Sequence, residues 1–119
     1  MFKHEDGKYD LEERCLIFAK QINKFIKELP KNIINIENGK QLLRSAGSIG
    51  ANYIEASESL GKKDFGMRIK ISRKEAKESE YWLQLIEPIA QHEQYRITLA
   101  NEAAELRKIF GAIIRKLKP

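Results

Sequence analysis

The sequence predicts an all-α protein, an antiparallel up-down-up-down four-helix bundle, and three observations carry that expectation. Apolar residues recur at steps of three and four in four separate segments. No segment alternates apolar and polar residues at period two for long enough to make a strand. Only three prolines interrupt 119 residues, so the periodic segments are free to run as helices of about 20 residues joined by short connectors. A chain of this length buries one core, and residues 1–119 read as one domain.

The first helix is expected over residues 10–29. Leu11, Cys15, Phe18, Ile22, Phe25 and Leu29 fall on one face, with Ile17 and Ile26 widening it. Asp10 is a ready N-cap, Glu13 three residues on completes a capping box, and Pro30 stops the helix. The stretch "KNIINIENG" reads as a connector.

The second helix is expected over residues 40–60, with Leu42, Ala46, Ile49, Tyr53, Ala56 and Leu60 on its core face and Leu43, Gly47 and Ile54 on a second apolar edge. Gly47 and Gly50 each cost about 1 kcal/mol against Ala inside a helix. The small side chains of "SAGSIGA" therefore point to a neighbour that comes close to the backbone. Gly61 supplies a C′ position.

The third helix, residues 63–90, places Phe65, Ile69, Ser72, Ala76 and Leu83 on one face and Met67, Ile71 and Leu85 on another. Between them lies a third sector of Lys63, Lys70, Arg73, Lys74, Lys77, Tyr81 and Gln84. Two separated apolar faces suit a subunit that packs against more than its own core. Pro88 kinks or ends the helix. The fourth helix, residues 96–117, carries Leu99, Ala103, Leu106, Phe110, Ile113 and Leu117 at alternating steps of four and three, an a/d seam of nearly three heptads.

Composition excludes several functions. Apolar residues make up 42% and charged residues 33% of the chain, a balance that is neither disordered nor membrane-embedded. No apolar run approaches the roughly 18 residues of a spanning helix, and "MFKHEDGKYD" is too polar for a signal peptide. A cytoplasmic, non-membrane protein is expected. The single Cys15 has no partner for a disulfide and sits on the first helix's apolar face, where a packed thiol is expected rather than a nucleophile. His4 and His92 have no Cys, Asp or Glu at a metal-ligand or triad spacing, and no phosphate-binding glycine loop occurs. No cofactor, metal or catalytic residue is assigned, and the chain reads as no enzyme.

Charge is the informative feature. The net charge is +5, but residues 1–13 are acidic. Residues 62–77 hold seven cations, Lys62, Lys63, Arg68, Lys70, Arg73, Lys74 and Lys77, against only Asp64 and Glu75. Arg107, Lys108, Arg115, Lys116 and Lys118 follow near the C-terminus with no acid among them. Lysine-rich faces are often only solvated. Here Lys70 with Lys74, and Arg73 with Lys77, are like-charged pairs at i, i+4 that an anionic partner would relieve. Glu78 opposite Lys74 and Glu80 near Lys77 are expected to neutralise part of the stripe. Tyr81 at its end is placed to stack on a base. Arg44, Ser48, Asn52 and Glu55 share one polar side of the second helix, either a salt-bridged surface or a buried network at a subunit interface.

The stretch "LLRSAGSIGANYIEASESLGKKDFGMRIKISRKEAKESEYWLQLI" resembles the four-helix-bundle family encoded in intervening sequences of bacterial large-subunit ribosomal RNA genes, which is related to the accessory variability determinant of diversity-generating retroelements. The resemblance rests on Arg44-Ser45-x-x-Ser48-Ile49-x-x-Asn52 with Glu55, on Phe65, and on Lys74-Glu75-Ala76-x-Glu78-Ser79-x-Tyr81-Trp82-Leu83. It extends to the first helix and the "AAELRKIFGAIIRKLK" tail. Many relatives carry a small residue followed by Glu-Gly near positions 54–56, where this chain has Ile54-Glu55-Ala56.

The resemblance implies a homo-oligomer, a pentamer in the better-understood relatives, whose basic surfaces bind nucleic acid or a reverse transcriptase. It implies that Arg44, Ser48, Asn52 and Glu55, with Trp82, belong to an interface or structural motif. The combined expectation is a non-enzymatic oligomeric bundle that holds structured RNA or DNA through Lys63, Lys70, Arg73, Lys74, Lys77, Tyr81, Arg115, Lys116 and Lys118. It would serve as an accessory factor to a reverse transcriptase or an rRNA intervening sequence. The alternative is a protein–protein interaction scaffold with no nucleic-acid role.

Overall fold

A computed structural model describes residues 10–117. Four helices run up and down in order: α1 (Leu11–Lys27), α2 (Ile33–Ser57), α3 (Lys62–Leu85) and α4 (Glu93–Leu117), with a 3-10 turn at Ala90–His92 before the last. No strand occurs among the described residues. Each helix packs on its neighbour in sequence and α1 closes the ring against α4, giving a slab of 46 × 32 × 20 Å.

The predicted core faces are the buried ones. Cys15, Phe18, Ile22 and Phe25 of α1 meet Leu42, Ala46, Ile49 and Ala56 of α2, Ile69, Ala76 and Leu83 of α3, and Leu99, Ala103, Leu106 and Phe110 of α4. Rings join across helices, with Phe25 edge-on to Tyr95 at 5.7 Å and Tyr53 against Phe110 at 5.9 Å between centroids. Asp10 caps α1 as expected, its side chain accepting from the Glu13 amide at 2.8 Å.

Four boundaries differ from expectation by three residues or more. The stretch read as a connector is helical, and α2 begins at Ile33 rather than residue 40. Asn32 caps it through the Asn35 amide at 2.9 Å, and this cap was hidden because only Ile and Asn follow it. Gly61 does not end α2, which stops at Ser57. The Glu58 amide and the Ser59 hydroxyl satisfy its last carbonyls, while Gly61, with extended backbone, is the N-cap of α3. Leu60, expected on the core face, is therefore fully exposed in the turn. Helix α3 ends at Leu85, five residues before the expected end, and α4 starts three residues earlier than residue 96.

Pro88 disfavours helical backbone at Glu87 before it, and Asn35 receives the chain where α3 stops. Asn35 is 3% exposed. Its Nδ2 donates to the carbonyls of Pro30 at 3.0 Å and Glu87 at 2.9 Å, and its Oδ1 accepts from the Glu87 amide at 2.9 Å. It ties the α1–α2 turn to the extended Ile86–Pro88 segment and so fixes the register of α2 against α3.

The two glycines of α2 behave differently. A Cβ on Gly50 would stand 3.2 Å from Cys15 Cβ, so α1 and α2 meet closely there, whereas Gly47 faces open space.

Candidate nucleic-acid interface

Helix α3 supplies the candidate surface because it packs on α2 and α4 and turns a third face outward. On the α2 side, Ser45 and Ser79 share a buried hydroxyl pair at 2.8 Å, and the Ser72 hydroxyl donates to the Ile49 carbonyl at 2.9 Å. Such short side chains satisfy their own polarity while letting the helices approach. Arg44 crosses the same seam to Glu75 at 3.3 Å and Glu78 at 2.8 Å, and the hydrogen bond to Glu75 raises its pKa. Asn52 accepts from Arg68 at 3.1 Å and donates to the Ser48 carbonyl at 2.9 Å.

Arg44 and Asn52 thus lie in links between α2 and α3 of one protomer. Ser48 takes part through its carbonyl, and Glu55 stands exposed beside them. Trp82 is half-buried against the core, its ring 5.1 Å from that of Tyr81.

On the α4 side, Arg107 pairs with Glu80. This corrects the expectation that Glu78 and Glu80 neutralise the stripe. Both carboxylates turn to arginines on neighbouring helices, Glu78 to Arg44 and Glu80 to Arg107. What is left on the outer face is nearly pure cation. Lys63, Lys70, Arg73, Lys74 and Lys77 are all exposed, and among the described residues none of them pairs with a carboxylate. Lys63 to Tyr81, itself exposed, spans about 27 Å of helix axis at 1.5 Å per residue.

At its N-terminal end the stripe borders a groove of about 440 Å³ between α3 and α4. Lys62, Lys63 and Lys70 rim it, and Gly66, Met67, Ile114 and Leu117 form its floor. Lys62 belongs to the charge run but not to the sector that helical spacing gives the site. Its place on the rim follows from α4 lying alongside, which periodicity within α3 does not reveal. Arg115 reaches the stripe from α4, lying with Arg73 against Gly111. Lys116 is exposed about 100° further round α4, and Lys118 lies outside the described residues.

Nothing among the described residues gathers three or more His, Cys, Asp or Glu side chains that could hold a metal. Burial pushes the Cys15 thiol up to about 12, which removes the thiolate that nucleophilic chemistry needs. His92 is half-buried, with its Nε2 3.4 Å from a Glu28 oxygen. His4 lies outside the described residues. Among the described residues no helix is long and apolar enough to cross a membrane.

A second surface lies between the first two helices. Between α1 and α2 runs an apolar groove of about 510 Å³, lined by Leu16 and Ala19 with Gly47, Gly50, Ala51 and Ile54, with Glu12 and Glu13 at one end. Leu16 and Ile54 are nearly half exposed along it, and Leu43, equally exposed, lines a separate groove with Ile26, Ile36 and Gly39.

These features define a small all-α bundle with one cationic helix face and one open apolar edge. The chain belongs to the 23S rRNA-intervening sequence protein family, whose sequence pattern it matches over residues 8–112. It is similar to a crystal structure from Bacteroides thetaiotaomicron, a protein of unknown function from the S23 ribosomal protein family. That similarity is 32% in identity and covers 87% of this chain and 97% of that one, with a TM-score of 0.73. No protein of curated function matches.

Proposed function

We propose that this protein is a non-enzymatic, self-associating helical bundle that binds structured RNA or DNA by its phosphate backbone. The observation that carries the reading is the sorting of charge on α3. Glu75, Glu78 and Glu80 are engaged by Arg44 and Arg107, while the cations of the outer face have no carboxylate. A merely solvated surface gains from interspersed opposite charges. A one-sign face instead raises the local concentration of polyanions. Because lysine dominates, the contacts fix position on the backbone and read little sequence. Tyr81 adds a stacking surface at the end of the stripe.

The α1–α2 groove supports self-association, with the pentamer of related bundles as the expected assembly. Apolar surface with Leu16 and Ile54 half open is what a subunit contact covers. The family's link to ribosomal RNA intervening sequences makes an rRNA flank, or a reverse transcriptase acting on RNA, the natural setting, in the cytoplasm and with the chain acting as one domain. The same groove also supports a second reading, a scaffold for another protein in which the lysines only keep the surface soluble.

The double charge reversal Lys70→Glu with Lys74→Glu separates the two readings. Hairpin binding is expected to fall by at least 100-fold while the assembled mass stays unchanged. Undiminished binding would refute the nucleic-acid reading.

A further inference from the structure

Seven arginines lie in the described residues, and five of them have partners. Arg14 holds Glu102, Arg44 holds Glu75 and Glu78, Arg68 donates to Asn52, Arg96 pairs with Glu93 and with the Leu83 carbonyl, and Arg107 holds Glu80. The remaining two, Arg73 and Arg115, have no acceptor among the described residues, and they lie together. They come from different helices and meet over Gly111, itself buried. A Cβ at that glycine would stand 3.5 Å from Arg115 Nη1, 3.6 Å from Arg73 Nε and 3.9 Å from Arg73 Cδ.

One guanidinium nitrogen of each arginine, Arg115 Nη1 and Arg73 Nε, therefore lies within 3.6 Å of one point, so the two nitrogens are no more than about 7 Å apart. Two exposed like charges at such a separation repel each other modestly, and an anion between or above them turns that repulsion into a shared attraction. Neither arginine pairs with a carboxylate among the described residues; Glu80, on the helix of Arg73, holds Arg107, and Glu105, on the helix of Arg115, holds Lys108. The negative end of the α4 dipole favours Arg115, which lies in the last turn. It gives no such support to Arg73, in the middle of α3. The absence of a side chain at Gly111 leaves room for both arginines to lie against α4 at this point.

We propose that Arg73 and Arg115 form a two-arginine fork for a single phosphate group. Paired planar guanidinium groups match the oxygens of a phosphate in a way that a lysine's point charge does not. The fork rests on the nucleic-acid reading above and deepens it: along a stripe of lysines that hold the backbone loosely, it is the one position that grips a phosphate with fixed geometry. The phosphate is either an internal phosphodiester or a terminal phosphate monoester.

The test uses the full chain and two RNA hairpins that differ only in carrying a 5′-hydroxyl or a 5′-phosphate. The Nε–H resonances of the arginine side chains are followed by NMR, and affinity is measured by anisotropy for the wild type, Arg73→Lys, Arg115→Lys and the double variant. Lysine keeps the charge, so counterion release is preserved and only the fork is lost. Exposed Arg-to-Lys changes also leave the core intact, as circular dichroism will check.

The fork predicts that the Arg73 and Arg115 signals move together and saturate. Each single variant should lose about fivefold to tenfold in affinity, and the double variant little more than either single, because one site is being removed. Equal binding of the two hairpins assigns an internal phosphodiester; a severalfold preference for the 5′-phosphate assigns the terminal group. Binding that depends on Lys70 and Lys74 but is unchanged in all three arginine variants overturns the fork and leaves the nucleic-acid reading standing. Absence of binding by the wild type overturns both.

Discussion

Replacing Asn35 with Ala tests the principal fold-level inference, that one buried amide holds the two loops at one end of the bundle together. The side chain makes three hydrogen bonds, two donated to the Pro30 and Glu87 carbonyls and one accepted from the Glu87 amide. At about 1 kcal/mol net for each, the sum is about 3 kcal/mol. Glu87 is exposed and Pro30 half-buried, so water recovers part of this, and about 2–3 kcal/mol of destabilisation is expected. The assay is urea unfolding followed by circular dichroism at fixed protein concentration, since self-association would couple stability to concentration. An unchanged denaturant slope with a lowered midpoint would mark a change in stability alone.

Asn35→Asp sharpens the test. It keeps the acceptor for the Glu87 amide but sets a carboxylate oxygen against two carbonyls. That environment disfavours the charged form and raises the folded-state pKa. The extra stability cost must then shrink as pH falls and grow as pH rises through that raised value. A loss below about 0.5 kcal/mol for Asn35→Ala would refute the claim that this residue sets the register of α2 against α3.

Two further predictions follow from particular contacts. Gly47→Ala adds a methyl where the protomer leaves open space, so helix propensity should stabilise an isolated protomer by about 0.5–1 kcal/mol. If a second copy covers the α1–α2 groove, the same methyl should weaken assembly in sedimentation equilibrium. An unchanged association constant would place the subunit contact elsewhere. The Cys15 thiol, raised from its ordinary 9.0 to about 12, should resist a thiol-specific reagent at pH 8 in the folded protein and react only on unfolding. The sign is fixed: above pH 9.0 the unfolded chain loses the thiol proton first, so Cys15 should make stability fall as pH rises, and Cys15→Ala should remove that contribution. Rapid labelling of the native protein would contradict the burial.

The core was readable from spacing because a helix face repeats every 3.6 residues and burial follows it. Cys15, Phe18, Leu42, Ile69, Leu83 and Phe110 were all placed by periodicity alone. The start of α2 was not, because "NIINIENG" looks like turn chemistry until Asn35 is seen to be paired with a loop 52 residues away. Long-range partners of this kind leave no local signal.

The candidate site shows the same division. That Lys63, Lys70, Arg73, Lys74 and Lys77 share one sector follows from counting 100° per residue. That Glu78 and Glu80 leave them uncompensated does not, since their arginine partners lie on α2 and α4. Likewise, the convergence of Arg73 and Arg115 over Gly111 exists only once α3 and α4 are packed.

The most direct test of the central claim is the salt dependence of anisotropy for a labelled RNA hairpin and its DNA counterpart, titrated with protein of measured assembled mass. If four or five cations of the stripe each contact a phosphate, log affinity should fall linearly with log salt with a slope of about −3 to −5. Both hairpins should bind near physiological salt. No binding even at low salt, or a slope near zero, would contradict the account and turn attention to a protein partner in the α1–α2 groove.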